Sequence, residues 1–299
     1  MTEPYSIIGI LPLLDAPTLV VMLAGWIDAS GAAAGAMLAL EAECAATPVA
    51  VFDSDTFIDY RARRPTMQLR EGVNTQLVWP DIELKAGKDL DGRDVLLLTG
   101  PEPDMAWRRF GSTVAEIGAR LGVQRMVALG AYPFATPHTR PSRLSMSAPS
   151  ADVVARLPLL KNSVDVPAGV AAVLEHSFHD RGIEAMGIWV QVPHYVSSMA
   201  YPAATLALLN GLTQVSGVRI DGAALRQETI IQRERLDDLV AGNDEHGAMV
   251  RQLEALYDAA AAPQPDDASP TTAPLSDERI PTAEELGAEL EQFLRDQNP

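Results

Sequence analysis

Five short segments gather the side chains able to bind a ligand or move a proton. In GAYPFATPHTRP, His138, Thr139 and Arg140 stand between two prolines, which limit the loop's freedom and hold the three side chains at little entropic cost. In GIWVQVPHYVSS, His194 and Tyr195 leave a β-rich run, where they either hydrogen-bond a ligand or satisfy buried backbone groups. In AGWIDASGAAAG, Trp26 offers a face on which a ring can stack, and Asp28 precedes a helix opened by Gly31. The amino end of that helix can hold an anion, or Asp28 can cap it while Gly31 and Gly35 permit close packing. In TGPEPDMAWRRF, Glu102 lies in a Pro-stiffened turn. A desolvated carboxylate there can act as a base or accept a ligand hydroxyl, or it can serve as a local cap. Lastly, FIDYRARRPTM sets Arg61, Arg63 and Arg64 in an otherwise acidic chain. Such a cluster clamps a phosphate or carboxylate, or pairs with the acids of a loop or a neighbouring subunit.

None of these residues is assigned a catalytic role. A Walker-type loop, GxGxxG, GxSxG and HExxH are all absent, which leans the reading away from an enzyme. His176 and His179 in HSFHD sit one helical turn apart beside Glu175 and Asp180, a metal-capable spacing without a third ligand. They read as solvated helix surface, and no metal or cofactor is expected. The single cysteine, Cys44, lies in an Ala-rich helical stretch and reads as packing.

Positioning these segments falls to an alternation of β-rich runs and helical patterns over the first two hundred residues, the signature of a sheet layered between helices. Strands are expected at Tyr5 to Ile10, Thr18 to Leu23, Pro48 to Phe52, Thr75 to Trp79, Asp94 to Thr99, Arg125 to Gly130, Arg143 to Ser147 and Ile183 to Val192. Trp107, Phe110, Val114, Ile117 and Leu121 recur at helical spacing, with Asp104 placed as their cap. A second helix begins near Pro167 and ends at Gly182, and a third begins at Pro202. Ligands of open α/β sheets bind beyond the carboxyl ends of the strands, so the segments following strands are expected to converge on one polar face. The fold class is α/β, a three-layer α/β/α sandwich over residues 1-220 with a C-terminal helical extension. That extension is a helical hairpin over 221-260, a flexible linker over 261-276, and an amphipathic helix over 277-299 bearing Leu286, Leu290, Phe293 and Leu294.

An apolar content of 47% fits a sizeable core, and a net charge of -17 disfavours nucleic acid and anionic membranes as partners. Apolar runs are strand-sized, and Glu3 stands where a signal peptide would be basic, so a cytoplasmic protein is expected.

Taken in order, GWIDAS, DYRARRPTM, GPEPDMAWRRF, ATPHTRP and VPHYVS followed by PAATLALL resemble the proteasome assembly chaperone 2 family, in its actinobacterial branch, over most of residues 15 to 215. Ile27 and Ser30 depart from the family's more usual GWNDAG. The resemblance implies a phosphorylase/hydrolase-like α/β/α fold, related in topology to purine nucleoside phosphorylases, and a homo-oligomer with a trimer favoured. It carries over no catalytic residue. Members that build proteasomes in other lineages use a C-terminal hydrophobic-Tyr-X tail; Arg295 to Pro299 hold no Tyr, so docking by that mode is not expected. The function implied is a non-catalytic assembly or interaction factor with a protein client. The alternative is a phosphorylase/hydrolase-like enzyme or binder of a small anionic or nucleoside-like ligand in the strand-end cleft. There Arg140 or an arginine of the 61–64 cluster would hold the anion, His138 or His194 would transfer a proton, and Trp26 would stack on a ring.

Overall fold

The computed structural model describes residues 3–260; the linker expected at 261-276 and the helix expected at 277-299 lie outside the described residues. In chain order the elements are β1 (Tyr5–Ile7), β2 (Thr18–Ala24), α1 (Ala32–Glu43), β3 (Thr47–Phe52), α2 (Ser54–Phe57), β4 (Thr66–Arg70), β5 (Val73–Val78), β6 (Glu83–Lys88) and β7 (Asp94–Pro101). They continue with α3 (Trp107–Arg120), β8 (Arg125–Phe134), β9 (Leu144–Ser147), α4 (Ala151–Arg156), α5 (Val170–His179), β10 (Glu184–Pro193), α6 (Pro202–Ser216), α7 (Ala223–Ala241) and α8 (Asp244–Ala259).

Successive apolar residues in a strand point to opposite faces, so a run such as Leu19-Val20-Val21 is stable only where helices cover both sides. That is what the chain builds. Eight strands form one mixed sheet in the order β1-β3-β6-β7-β2-β8-β10-β9. The central β7, β2, β8 and β10 run parallel, and β6 and β9 flank them antiparallel. Val20, Leu97, Val127 and Ile188 pack in the core that α1 and α6 share, while Leu19, Val21, Leu96 and Met126 pack with α3 and α5 in a second core. Among the described residues no helix is long and apolar enough to cross a membrane.

Three local expectations are corrected. Asp104 does not cap α3: Ala106 occupies that position in a left-handed conformation, and the Asp104 carboxylate instead accepts the Asp59 N–H at 3.0 Å and Arg63 Nε at 3.0 Å. β1 stops at Ile7, short of Ile10. The strand expected at Thr75 to Trp79 does not join the sheet. β5 pairs with β4 as a separate two-stranded arm, and the sheet position between β3 and β7 goes to β6, a polar run (ELKAGK) with no apolar signature.

Below the end of β9 the interior holds an unusual carboxylate. A side chain at Gly130 would overlap the ring of Trp189, and one at Gly187 would overlap Glu175. Glu175 is 5% exposed and accepts the Ser147 hydroxyl at 2.9 Å, the same hydroxyl that receives Trp189 Nε1 at 3.4 Å. Burial pushes the Glu175 carboxyl from 4.5 up to about 7. A folded-state value above the unfolded one means the fold is unburdened below the ordinary carboxylate range and loses stability as pH rises toward 7. Chemical denaturation is therefore expected to show unfolding free energy falling by up to about 3 kcal/mol across that window. Glu175→Gln is expected to flatten the slope and raise stability at pH 8; an unchanged slope in that variant contradicts this account.

Candidate functional site

Because β2, β7, β8 and β10 are parallel, the turns that follow them leave the sheet at one edge. Backbone contacts tie those turns together. The Glu102 N–H donates to the Ala24 carbonyl at 2.7 Å, Asp28 bridges to Ala131, and the Ser30 N–H donates to the Ser197 carbonyl at 2.6 Å. The expected convergence of Trp26, Asp28, Glu102, His138 and His194 toward one edge is thus what the topology produces, but the residues divide into two groups with different surroundings.

The first group surrounds the turn after β2. Asp28 Oδ1 accepts the Ala33 N–H at 2.9 Å and Oδ2 accepts the Ala34 N–H at 3.0 Å, so the amino end of α1 is closed by the chain's own carboxylate. Burial raises the Asp28 carboxyl, and those two amides oppose the rise. Glu102, also buried, accepts the Val170 N–H at 2.6 Å and closes α5 in the same way. Gly169 lies directly against both Glu102 and Trp26, leaving no room there for a Cβ without displacement. Arg63 bridges from the following segment, with Nε on Asp104 and Nη1 on the Ala24 carbonyl at 3.4 Å. Its partner is therefore a loop of its own chain.

The second group meets the helical hairpin formed by α7 and α8. Arg140 grips two carboxylates: Nε and Nη2 donate to Asp258 at 2.9 and 2.8 Å, and Nη1 donates to Glu254 at 3.0 Å. The paired acids hold its guanidinium firmly charged. Thr139 donates to the same Glu254 at 2.6 Å. Arg143 stacks over the Tyr257 ring at 3.7 Å and donates to its carbonyl at 2.8 Å, while the Tyr257 hydroxyl donates to the Pro141 carbonyl at 3.0 Å.

His138 is 3% exposed, with Nε2 3.1 Å from Asp237 and Nδ1 2.7 Å from the Tyr195 hydroxyl. Asp237 only accepts, so Nε2 carries the proton and Nδ1 accepts from Tyr195, whose oxygen also receives the His138 backbone N–H at 2.7 Å. Burial pulls the imidazole below its ordinary value, with Asp237 opposing. Asp237, His138 and Tyr195 have the order of an acid–base relay, but burial raises the Tyr195 hydroxyl and every polar atom of the histidine is spent internally. His194 is exposed; among the described residues its ring makes no hydrogen bond and lies edge-to-face with the Tyr195 ring, 5.4 Å between centroids.

Two features were not marked in the sequence. One is the set of partners just described, Asp237, Glu254, Tyr257 and Asp258. They lie about a hundred residues from the loop they hold, and no local spacing reports that. The other is an apolar set of which only Trp26 was singled out, as a stacking face. Trp26 and Ile27 after β2, Met105 after β7, Phe134 at the end of β8 and Met199 after β10 are all exposed. A cleft of about 460 Å³ also opens beside the second group, lined by His138, Arg140, Tyr201, Asn210, Gln214 and Arg233 among others. Among the described residues no group of three or more His, Cys, Asp or Glu side chains is placed to hold a metal ion.

Sheet and site together define a mixed α/β protein with a central eight-stranded sheet flanked by helices and C-terminal helices, and with strand-end turns partly bound by its own hairpin. The chain belongs to the PAC2 family, whose model matches residues 22–240. A Corynebacterium glutamicum protein of unknown function has 30% identity and a TM-score of 0.79, with 86% of this chain and 98% of that one covered. A PAC2 family protein from Streptomyces avermitilis has 34% identity and a TM-score of 0.70, covering 78% and 99%. A Mycobacterium tuberculosis proteasome-assembly chaperone homologue has 33% identity and a TM-score of 0.71, also covering 78% and 99%. No curated protein matches.

The contacts of Arg140 span more than a hundred residues, so its removal is expected to loosen the hairpin and spare the sheet. In Arg140→Ala, amide exchange should accelerate across α7 and α8 and remain unchanged in β2, β7 and β8; equal protection of the hairpin in both proteins contradicts the assignment.

Proposed function

We propose that this PAC2 protein is a homo-oligomeric assembly or interaction factor, a trimer by preference, that contacts a protein client through the strand-end edge and performs no catalysis. One contrast carries the reading. The side chains suited to holding a small ligand are spent within the chain, Arg140 on Asp258 and Glu254 of the hairpin and His138 on Asp237 of the hairpin and Tyr195 of the turn after β10, whereas each turn of the same edge leaves a large apolar side chain in water. Exposed apolar area grouped in this way marks contact surfaces for proteins rather than for anions. The printed description of the Mycobacterium tuberculosis relative, a proteasome-assembly chaperone homologue, supports the same class of work.

A second reading has its own observation. The cleft between α6, α7 and the 138–144 segment, about 460 Å³ with Tyr201, Asn210, Gln214 and Arg233 on its walls, has the size and mixed lining of a small-molecule site. The phosphorylase/hydrolase-like kinship implied by the family resemblance belongs with this reading, and the ligand would be a small anionic or nucleoside-like molecule.

Mild crosslinking in cells followed by capture of the full chain is expected to recover a stable partner protein with the wild type and much less with Phe134→Asp. Thermal-shift screening with phosphate, nucleosides and nucleotides is expected to show no stabilisation. Recovery of the homo-oligomer alone, together with a ligand-induced shift that disappears in Arg233→Ala, would replace the first reading by the second.

A further inference from the structure

Two helices face each other across the cleft beside the 138–144 segment. Leu206, Ala207, Asn210 and Gln214 line it from α6, and Thr229, Arg233 and Leu236 line it from α7. Its polar groups differ in what they already hold. His138 and Arg140 are engaged by the hairpin, and the Thr229 hydroxyl donates to the Leu225 carbonyl at 2.7 Å. Asn210 and Gln214, one helical turn apart, are exposed, and neither carboxamide makes a hydrogen bond among the described residues. Arg233 Nε donates to Asp237 Oδ2 at 3.3 Å, while the other oxygen of that carboxylate lies 3.1 Å from His138 Nε2. Asp237 thus ties Arg233 to a buried imidazole and orients it. The two terminal nitrogens of the guanidinium keep no partner among the described residues, and such a pair can grip a carboxylate as a fork.

Charge narrows what enters. The chain carries a net charge of -17, yet no Asp or Glu is among the residues lining the cleft. An anion is therefore favoured at Arg233, but a weakly charged one. Asp237 beside Arg233, with Glu254 and Asp258 beside Arg140, offsets most of the positive charge, so a phosphate ester with two charges gains little there. A single carboxylate asks only for the fork. Leu144, Leu206 and Leu236 on the walls suit an apolar group next to that carboxylate. A carboxamide donates and accepts at once, so Asn210 and Gln214 match the N–H and C=O of successive peptide units. Carboxylate, apolar side chain and peptide units together describe the end of a polypeptide.

We infer that the cleft between α6 and α7 receives the C-terminus of another polypeptide ending in an apolar residue, with Arg233 on the terminal carboxylate and Asn210 and Gln214 on the peptide units before it. This rests on the protein-client reading given above and names the part of the client that is held. Asp237 is a positioning residue: it aims the Arg233 fork and touches no part of the bound chain.

The test is titration calorimetry of the full-length chain with acetylated tetrapeptides Gly-Ser-Ala-X, where X is Leu, Ile, Val, Phe or Met, each made as the free acid and as the C-terminal amide. At least one free acid is expected to bind, roughly tenfold or more tightly than its own amide. Arg233→Ala is expected to abolish that difference, and Arg233→Lys to keep part of it, since an ammonium supplies the charge without the fork. Asn210→Ala/Gln214→Ala is expected to weaken acid and amide alike with an unchanged melting temperature, because both side chains stand in water. The acetylated amino acid X alone is expected to bind at least about tenfold more weakly than the tetrapeptide. Acid and amide bound equally, no binding across the set, or an acid preference that survives Arg233→Ala overturns the inference. Equal binding of the acetylated amino acid, or displacement of the peptide by inorganic phosphate, also overturns it and gives the cleft to the small-ligand reading. A client captured in cells while no tetrapeptide binds sinks the cleft site alone; capture of none sinks the client reading whatever the peptides do.

Discussion

Four parallel strands buried on both faces constrain everything else in this protein. Once Leu19 to Val21, Val95 to Leu98, Met126 to Leu129 and Ala185 to Ile188 are sealed between two helical layers, the chain keeps few polar groups within the layers themselves, the buried Glu175 and Gln191 among them. Its irregular and charged residues are driven to the strand ends. Parallel direction then sends the turns after β2, β7, β8 and β10 to the same edge, so chemistry-bearing residues far apart in sequence become neighbours there. The hairpin of α7 and α8 depends on that edge in turn. It buries only Leu236, Val250 and Leu253, and the Arg140 and Arg143 contacts supply much of the rest of its hold.

Magnitudes separate the two uses of the edge. An anion entering at Arg140 must displace two carboxylates already in hydrogen-bonding geometry, one of them bidentate, so most of its gain would be cancelled by the contacts it breaks. Trp26, Ile27, Met105, Phe134 and Met199 face no such competition. All five are exposed and follow neighbouring parallel strands at one edge, where gathered apolar side chains mark a candidate contact surface.

Much of this was legible in the sequence where the cause was local. Continuous apolar runs announced the central strands, and the 3.6-residue spacing of Phe110, Val114 and Ile117 announced α3. The ordered motifs, read as a set, pointed to the family. What local pattern could not carry was partnership. Asp104 looks like a helix cap by position, yet Arg63, 41 residues earlier, takes its carboxylate. The His138 to Arg140 loop looks like a waiting site because its prolines and polar side chains are adjacent, while the acids that occupy it come from 99 to 118 residues away. β6 was invisible because a strand between covered neighbours can be polar, and β4 because an arm standing in water needs no alternation toward a core.

The account stands or falls on whether the apolar strand-end edge touches protein. A photoreactive benzoylphenylalanine placed at Phe134 in the full-length chain, irradiated in cells, puts the question at one residue. The proposed function predicts a covalent adduct between this chain and another polypeptide, lost when Trp26 and Met105 of the same edge are changed to Asp. Irradiation that yields only unmodified chain, with the edge fully exposed to solvent in cells, would contradict it.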